Sequence, residues 1–367
     1  MSARLETGGI PQLHALTGIR GIAAWLVVLY HMRLNLADLL PADAITLLGK
    51  GYLAVDLFFM LSGFVMWLNY AGRLRGGGFG QLPHFWWKRF ARVWPLHISI
   101  LAVLVAFALA LQMTGRDASA YPFAELPLHV LLVQNWGFTD DLSWNHPAWS
   151  ISTELAAYLL FPFFVLALRW EKLPSAALIA TALLLAAALY LTFAFAGEAS
   201  LGDAITRLGV WRCLAEFLIG TMICNLWLRW RDVQGAAPIC LAVGTGLLVL
   251  GMVIGLAETA FLPLVFALML LALALDRGPV ARLLGAPTLR WLGDVSYATY
   301  LAHVPLLIAF KIAFVGDDLQ LSWPEVALYA ALLLVLSGVL YHWLEKPAQA
   351  WLNAHAPRIA TRPRLRA

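Results

Sequence analysis

The chain has 367 residues, of which 62% are hydrophobic and only 13% are charged, whereas about 25% of residues are charged in a typical soluble domain. A soluble protein of this length could not bury so much apolar surface, so the composition excludes a soluble enzyme, a disordered chain and a secreted disulfide scaffold. We attribute the net charge of +4 to basic loops on the cytoplasmic side of a membrane, not to nucleic-acid binding.

Ten apolar runs predict an all-α, polytopic membrane protein with about ten transmembrane helices, because one span needs about 20 residues. A single membrane domain is expected over 1–350. The three cysteines lie in apolar stretches without metal-ligand spacing, so Cys213, Cys224 and Cys240 are expected to be core residues. The runs are 15–36, 50–71, 93–113, 148–169, 175–197, 205–229, 238–257, 260–276, 289–312 and 324–345.

The positions of the charged residues predict the orientation. If the N-terminus is cytoplasmic and the runs alternate, most of the 25 Lys and Arg residues fall in inner segments. Acidic residues such as Asp117, Glu198 and Asp318 fall in outer loops. This distribution places both termini in the cytoplasm, and 351–367 is expected to be a basic cytoplasmic tail. The longest stretches outside the runs are 72–92 and 114–147.

The first run carries two ionisable residues, Arg20 and His31. Eleven positions separate them, close to three helical turns, so both lie on one face about 16 Å apart along the axis. Ionisable groups within a span are costly and are usually functional or paired. Arg20, in the inner half, suits an anionic ligand. His31, in the outer half, suits proton abstraction, because the pKa of histidine lies near neutral pH.

Other charged groups within the runs need partners. Asp56, in the second run, lies at a depth similar to that of His31, and either His31 or Arg212 is a candidate partner. Arg212 and Glu216 lie one turn apart in the sixth run, and their spacing favours an internal ion pair.

Two further runs place polar residues on one helix face each. A carboxylate such as Glu154, about seven residues into a span, is expected to have a function or a partner. His303 could act in the chemistry or form a hydrogen bond between helices. The two sets are Ser150, Glu154 and Tyr158 in the fourth run, and Ser296, Tyr300 and His303 in the ninth.

The stretch before the third run reads HFWWKRFARVWPLH and carries Arg89 and Arg92 on one helix face. One interpretation is an interfacial amphipathic helix with basic residues at the lipid headgroups. The other is a phosphate clamp, for which the geometry of arginine is well suited. The residue pattern alone leaves both open. With Arg20, these arginines form an inner cationic zone, which suggests a donor from the cytoplasm and an acceptor from outside.

Six motifs follow one another along the chain: LTGIRGIAAWLVVLYH, GYLAVDLFFMLSGFVM, FWWKRFARVWPLH, HPAWSISTELAAYLLFP, LGDVSYATYLAHVPLL and WLEKPAQ. In this order they resemble the signatures of the integral-membrane acyltransferase-3 family, over about Leu13 to Pro347. Members typically transfer acyl groups from acyl-CoA to extracytoplasmic sugars. Many carry an added periplasmic esterase-like domain, which these 367 residues do not contain, so the acceptor is expected to reach the membrane domain.

The resemblance implies catalytic roles for three residues. His31 would be the base that deprotonates an acceptor hydroxyl, or it would be acylated transiently; the sequence leaves both open. Glu154 would orient or charge-balance His31, with Asp56 as the competitor for that role.

The resemblance also implies a donor and an acceptor. Arg20, Arg89 and Arg92 would hold the phosphates of acetyl-CoA, and no metal is expected because no ligand spacing occurs in the spans. The acceptor would be an extracytoplasmic glycan or a lipid-linked sugar, reached from a bacterial inner membrane. Two other functions stay open: a transporter or flippase for a sugar lipid, which the lack of internal repeats disfavours, and an acyltransferase for a small lipid or antibiotic.

Overall fold

A computed structural model describes residues 13–316 and 319–356. Most of the predicted basic tail therefore lies outside the described residues, from 357 onward, as does Asp318 of the last outer loop. Within the described ranges the chain forms helices and no β-strand. The prediction of an all-α fold is confirmed.

Nine described segments are long and apolar enough to cross a membrane. One of them, Ala42–Met113, contains two long helices, so ten long helices coincide with the ten predicted runs. We number these helices α1 His14–Met32, α2 Ala54–Gly77, α3 Leu82–Met113, α4 Ala148–Ala167, α5 Ser175–Phe195, α6 Ile205–Trp230, α7 Ala236–Val253, α8 Glu258–Leu275, α9 Ser296–Phe314 and α10 Trp323–Val339. The side of the membrane that each terminus faces stays a prediction.

Most of the stretch 72–92, expected between spans, is helical. Helix α2 continues to Gly77, and α3 begins at Leu82 with a proline in its first turn, where proline is well tolerated. The charged residues before position 93 end the predicted apolar run, but lysine and arginine have high helix propensity, so the helix extends through them. Arg89 and Arg92 therefore lie within a long membrane helix, not in a loop.

The last two predicted spans also differ in detail. The run 289–312 divides into a short helix, Pro287–Asp294, and α9, which begins at Ser296. Helix α10 continues through one π-helical turn, Leu340–Glu345, into the helix Lys346–Ala354. A π turn inside a helix often marks a functional position, and this one carries Glu345.

Helices α2 and α6 pack closely at the centre of the bundle. A Cβ atom added at Gly63 would meet the carbonyl oxygen of Phe217, and one added at Gly220 would meet that of Met60. Small residues allow such close helix contact in membranes. Cys213, Cys224 and Cys240 are buried and unpaired, as expected for core residues.

Candidate active site

His31 and His303 lie side by side, on α1 and α9. The Nδ1 atom of His31 is 3.1 Å from the Nε2 atom of His303, and the ring centroids are 4.8 Å apart. His303 is fully buried. The sequence placed both residues within spans and did not predict that they would be in contact.

The partners of the two rings fix their tautomers. The Nδ1 atom of His303 lies 2.7 Å from the carbonyl oxygen of Tyr300, which can only accept, so this nitrogen carries the hydrogen. The Nε2 atom of a neutral His303 is then an acceptor. The Nδ1 atom of His31 donates to it and to the carbonyl of Val27, at 2.9 Å. In a neutral His31, the Nε2 atom therefore keeps its lone pair.

Asp56 pairs with Arg212 in the core of the bundle. The Nε and Nη2 atoms of Arg212 donate to the two carboxylate oxygens of Asp56, at 2.7 and 2.6 Å. Both side chains are almost completely buried. Of the two partners considered for Asp56, the structure gives Arg212. An ion pair between Arg212 and Glu216 was expected within α6. The guanidinium of Arg212 instead extends across to Asp56 on α2.

Glu154 is held within its own helix. Its carboxylate accepts a hydrogen bond from the hydroxyl of Tyr158, at 2.6 Å. Ser62 lies 3.2 Å from the same hydroxyl. We expected Glu154 to orient His31. In the structure the Nδ1 atom of His31 instead donates to the Nε2 atom of His303 and to the carbonyl oxygen of Val27. One turn before Glu154, the hydroxyl of Ser150 lies 2.8 Å from that of Tyr300.

The three arginines of the inner zone differ in how they are held. Arg92 forms an ion pair with the buried Glu345 of the π turn. Arg89 donates to the Tyr70 hydroxyl at 2.7 Å, and its Nε atom has no partner among the residues that the structure describes. Arg20 donates to Ser296 at 3.3 Å. Arg89 and Arg20 therefore keep donors for a ligand, whereas Arg92 is already paired.

A cavity of about 370 Å³ lies between the arginines and Tyr300, and we call it the central cavity. His31 and His303 lie outside its lining. This volume lies within the range of small-molecule sites, about 300–1,000 Å³. Its walls are mostly apolar, and Val55, Phe58 and Phe59 contribute on one side. Its polar lining residues include Arg20, Arg89, Arg92, Ser150, Glu154, Tyr158, Ser296 and Tyr300. The cavity thus brings together eight predicted site residues, and it reaches Tyr300, one helical turn before His303.

A second cavity, of about 670 Å³, adjoins the first. Arg20, Leu61 and Val65 line both. Two residues of this second cavity, Arg290 and Trp291, carry no sequence pattern that predicts a site. Arg290 is one of the basic residues in the predicted inner segments, and no spacing distinguishes it from the others.

The segment before α4 carries two histidines outside the spans, His129 on the short helix Leu126–Leu131 and His146 just before α4. The Nε2 atom of His129 lies 2.9 Å from the Ser143 hydroxyl, which donates to Glu125 at 2.6 Å. Burial lowers the pKa of His129 to about 4, because the protonated ring would lose its hydration. Burial also lowers the pKa of His146. Both rings are therefore neutral at pH 7. In the described ranges, no group of three or more His, Cys, Asp and Glu side chains is placed to hold a metal ion.

Residues 13–342 match the model of the acyltransferase-3 family, whose description is "acyltransferase domain". The chain is similar to the acyltransferase MdmB of Streptomyces mycarofaciens, with 30% identity over 96% of both chains. It is similar to the exopolysaccharide production protein ExoZ of Rhizobium meliloti, with 28% identity over 81% of this chain and 89% of ExoZ. It is 23% identical to the peptidoglycan O-acetyltransferase OatA of Listeria monocytogenes over 91% of this chain, and the match spans 55% of OatA. No solved structure matches the chain.

Proposed function

The chain belongs to the acyltransferase-3 family of membrane proteins, and from that premise we propose that it is an acyl-CoA-dependent O-acyltransferase that transfers acetyl groups. The donor enters from the cytoplasm. The acceptor is a hydroxyl of a cell-surface or exported polysaccharide, or of its lipid-linked precursor. The protein then resides in a bacterial inner membrane with both termini in the cytoplasm.

One observation carries this proposal: the central cavity extends from Arg89 to Tyr300, next to the histidine pair. An acyl-CoA has an anionic end and a long, mostly uncharged arm that ends in the thioester. Arg20 and Arg89 offer donors for phosphate, and arginine suits that ligand. The apolar walls accommodate the arm and exclude water, which would otherwise hydrolyse the thioester.

The free Nε2 lone pair of His31 makes this residue the general base. Nε2 takes the proton of the acceptor hydroxyl, and the oxygen attacks the thioester carbonyl carbon. The tetrahedral intermediate collapses, the carbon–sulfur bond breaks, and the thiolate leaves. The imidazolium of His31 returns the proton to the sulfur. The products are the O-acyl ester and free CoA, and His31 is neutral again.

His303 takes the supporting role that the family resemblance implies for Glu154. By accepting the Nδ1 hydrogen of His31, it favours the tautomer whose Nε2 is basic. The carbonyl of Tyr300 in turn holds His303 in place. Glu154 and Asp56 have other partners. We therefore propose that Glu154 positions the hydroxyl of Tyr158, and that Asp56, through Arg212, holds α2 against α6.

Two named relatives support the glycan acceptor. OatA is named for acetylation of peptidoglycan and ExoZ for exopolysaccharide production. The match covers 89% of ExoZ but only about half of OatA, so support for an acceptor reached by the membrane domain itself comes from ExoZ more than from OatA.

Two measurements test the proposed function, one on strains with and without the gene and one on the purified protein. Surface glycan from each strain is compared by NMR for O-acetyl signals, and purified protein is assayed for release of free CoA from acetyl-CoA. We expect the acetyl signals to be lost on deletion and CoA release to require the glycan. CoA release with an unchanged glycan would overturn the polysaccharide acceptor. No CoA release when both acetyl-CoA and the glycan are supplied would overturn the acyltransferase.

A further inference from the structure

The second cavity is a polar site next to the central cavity, and Arg20 is the one residue of its lining to which the proposed function gives a role. Its walls combine three cationic or basic side chains, His14, Arg20 and Arg290, with the indole of Trp291 and the carboxylate of Asp294. Its volume of about 670 Å³ is within the range of small-molecule sites. It lies between the beginning of α1, the middle of α2 and the short helix Pro287–Asp294.

Arg290 has an unused hydrogen-bond donor. Its Nε atom is buried and has no hydrogen-bond partner in the described part of the chain. A buried donor without a partner is costly, and its guanidinium lines the cavity. An anionic ligand whose oxygens can accept a pair of hydrogen bonds from a guanidinium, such as a phosphate, would satisfy that group.

Trp291, the next residue, offers an aromatic surface. It also lines the cavity, and 37% of it is exposed. An exposed indole beside a guanidinium suits a ligand that carries both a flat ring and phosphate groups, because heteroaromatic bases stack on aromatic side chains. Asp294 adds an acceptor for hydroxyl or amino hydrogens.

Arg20 links the second cavity to the central cavity, because it lines both. It lies about 16 Å along α1 from His31, a distance that an extended pantetheine arm covers. A ligand with its phosphates at Arg20 would thus place a thioester near the histidine pair and leave its remaining part in the second cavity.

We propose that the second cavity binds the adenosine 3′-phosphate half of the acyl donor, with Arg290 on a phosphate and Trp291 against the adenine ring. This inference rests on the proposed function for its donor. It assigns the pyrophosphate to the junction at Arg20 and Arg89 and the pantetheine arm to the central cavity. Arg290 and Trp291 are then donor-specificity residues, since only a nucleotide-bearing donor reaches them.

The test compares two donors in Arg290→Gln. Acetyl-CoA carries the nucleotide, and S-acetyl-4′-phosphopantetheine lacks it. We expect the KM for acetyl-CoA to rise about tenfold or more, because the variant loses a hydrogen bond to a charged group. The KM for the truncated donor should stay at the wild-type value. Arg282 is an exposed arginine on the short helix Pro279–Leu284 and does not line the cavity. Arg282→Gln is therefore the matched control and should change neither KM.

A binding measurement separates this inference from the proposed function. Adenosine 3′,5′-bisphosphate is titrated into the purified wild-type protein, Arg290→Gln and Trp291→Leu. We expect binding to the wild type and a loss of about tenfold or more in Arg290→Gln, with a loss in Trp291→Leu as well. Equal binding to all three, or an equal KM change for both donors, would overturn the nucleotide site. Nucleotide binding without any acyl transfer by the wild type would instead overturn the proposed function.

Discussion

The Nδ1 atom of His31 lies 3.1 Å from the Nε2 atom of His303, although 272 positions separate them in sequence. The carbonyls of Val27 and Tyr300 constrain the two rings independently. Both constraints favour the tautomer in which the Nε2 atom of His31 is unprotonated. The Nε2 lone pair of a neutral His31 is therefore kept free by hydrogen bonds to another histidine and to a backbone carbonyl, without contact between the Nδ1 atom and a carboxylate.

Substitutions at His303 test the positioning role. His303→Gln keeps a carbonyl oxygen that can accept the Nδ1 hydrogen of His31, whereas His303→Leu removes the acceptor. We expect His303→Leu to lose most of kcat and His303→Gln to restore part of it, with little change in KM for acetyl-CoA. The pH profile of kcat should also shift in His303→Leu. Equal activity in the two variants, with an unchanged profile, would reduce His303 to a packing residue.

Arg89 and Arg92 should respond differently to the same substitution. Arg89→Gln removes donors that face the central cavity, so we expect the KM for acetyl-CoA to rise about tenfold. Arg92→Gln leaves the buried Glu345 without its ion-pair partner, so we expect a lower melting temperature. Kinetics and thermal melts of both variants check this difference. An unchanged KM in Arg89→Gln would remove Arg89 from the donor site.

The buried ion pair between Asp56 and Arg212 is expected to matter for stability. Asp56→Ala leaves an unpaired guanidinium whose side chain is 1% exposed, at a cost of about 3–5 kcal/mol. The double variant Asp56→Leu with Arg212→Met removes both charges and should be less destabilised than the single variant. Thermal unfolding in detergent compares the three proteins. A double variant less stable than Asp56→Ala would contradict this account.

Stability should depend on pH through His129. Its pKa is about 4 in the folded protein and about 6.5 when unfolded, so the unfolded chain binds the proton first as the pH falls. The contribution of neutral His129 is complete above pH 6.5 and is lost progressively as the pH falls toward 4.

The difference in melting temperature between wild type and His129→Gln, measured from pH 8 to pH 4.5, isolates this effect. We expect the advantage of the wild type to shrink at low pH. His355→Gln, at an exposed histidine, is the control and should give a parallel curve. A wild-type advantage that stays constant over the range would rule out this role for His129.

Local sequence patterns predicted the helices well, because each span must hold its own backbone hydrogen bonds. They also placed Arg20 and His31 on one face, since helical periodicity is a local property. Contacts between helices were harder. Asp56 had two possible partners, and only packing chose Arg212. Glu154 was assigned to His31 by analogy, but the hydroxyl of Tyr158, one turn away, takes its carboxylate. Arg290 carried no local signal at all, since its surroundings come from two distant helices.

In the proposed reaction, His31 activates an acceptor for an acyl group supplied from acyl-CoA. Membrane vesicles that contain either wild type or His31→Gln, at matched expression and melting temperature, are supplied with radiolabelled acetyl-CoA at the cytoplasmic face. The measurement is the label found in material from which mild alkali releases acetate, as an ester requires. Our account predicts incorporation by the wild type and a reduction of about 10²-fold or more in His31→Gln, the usual contribution of a general base. Equal incorporation by the two proteins would contradict it.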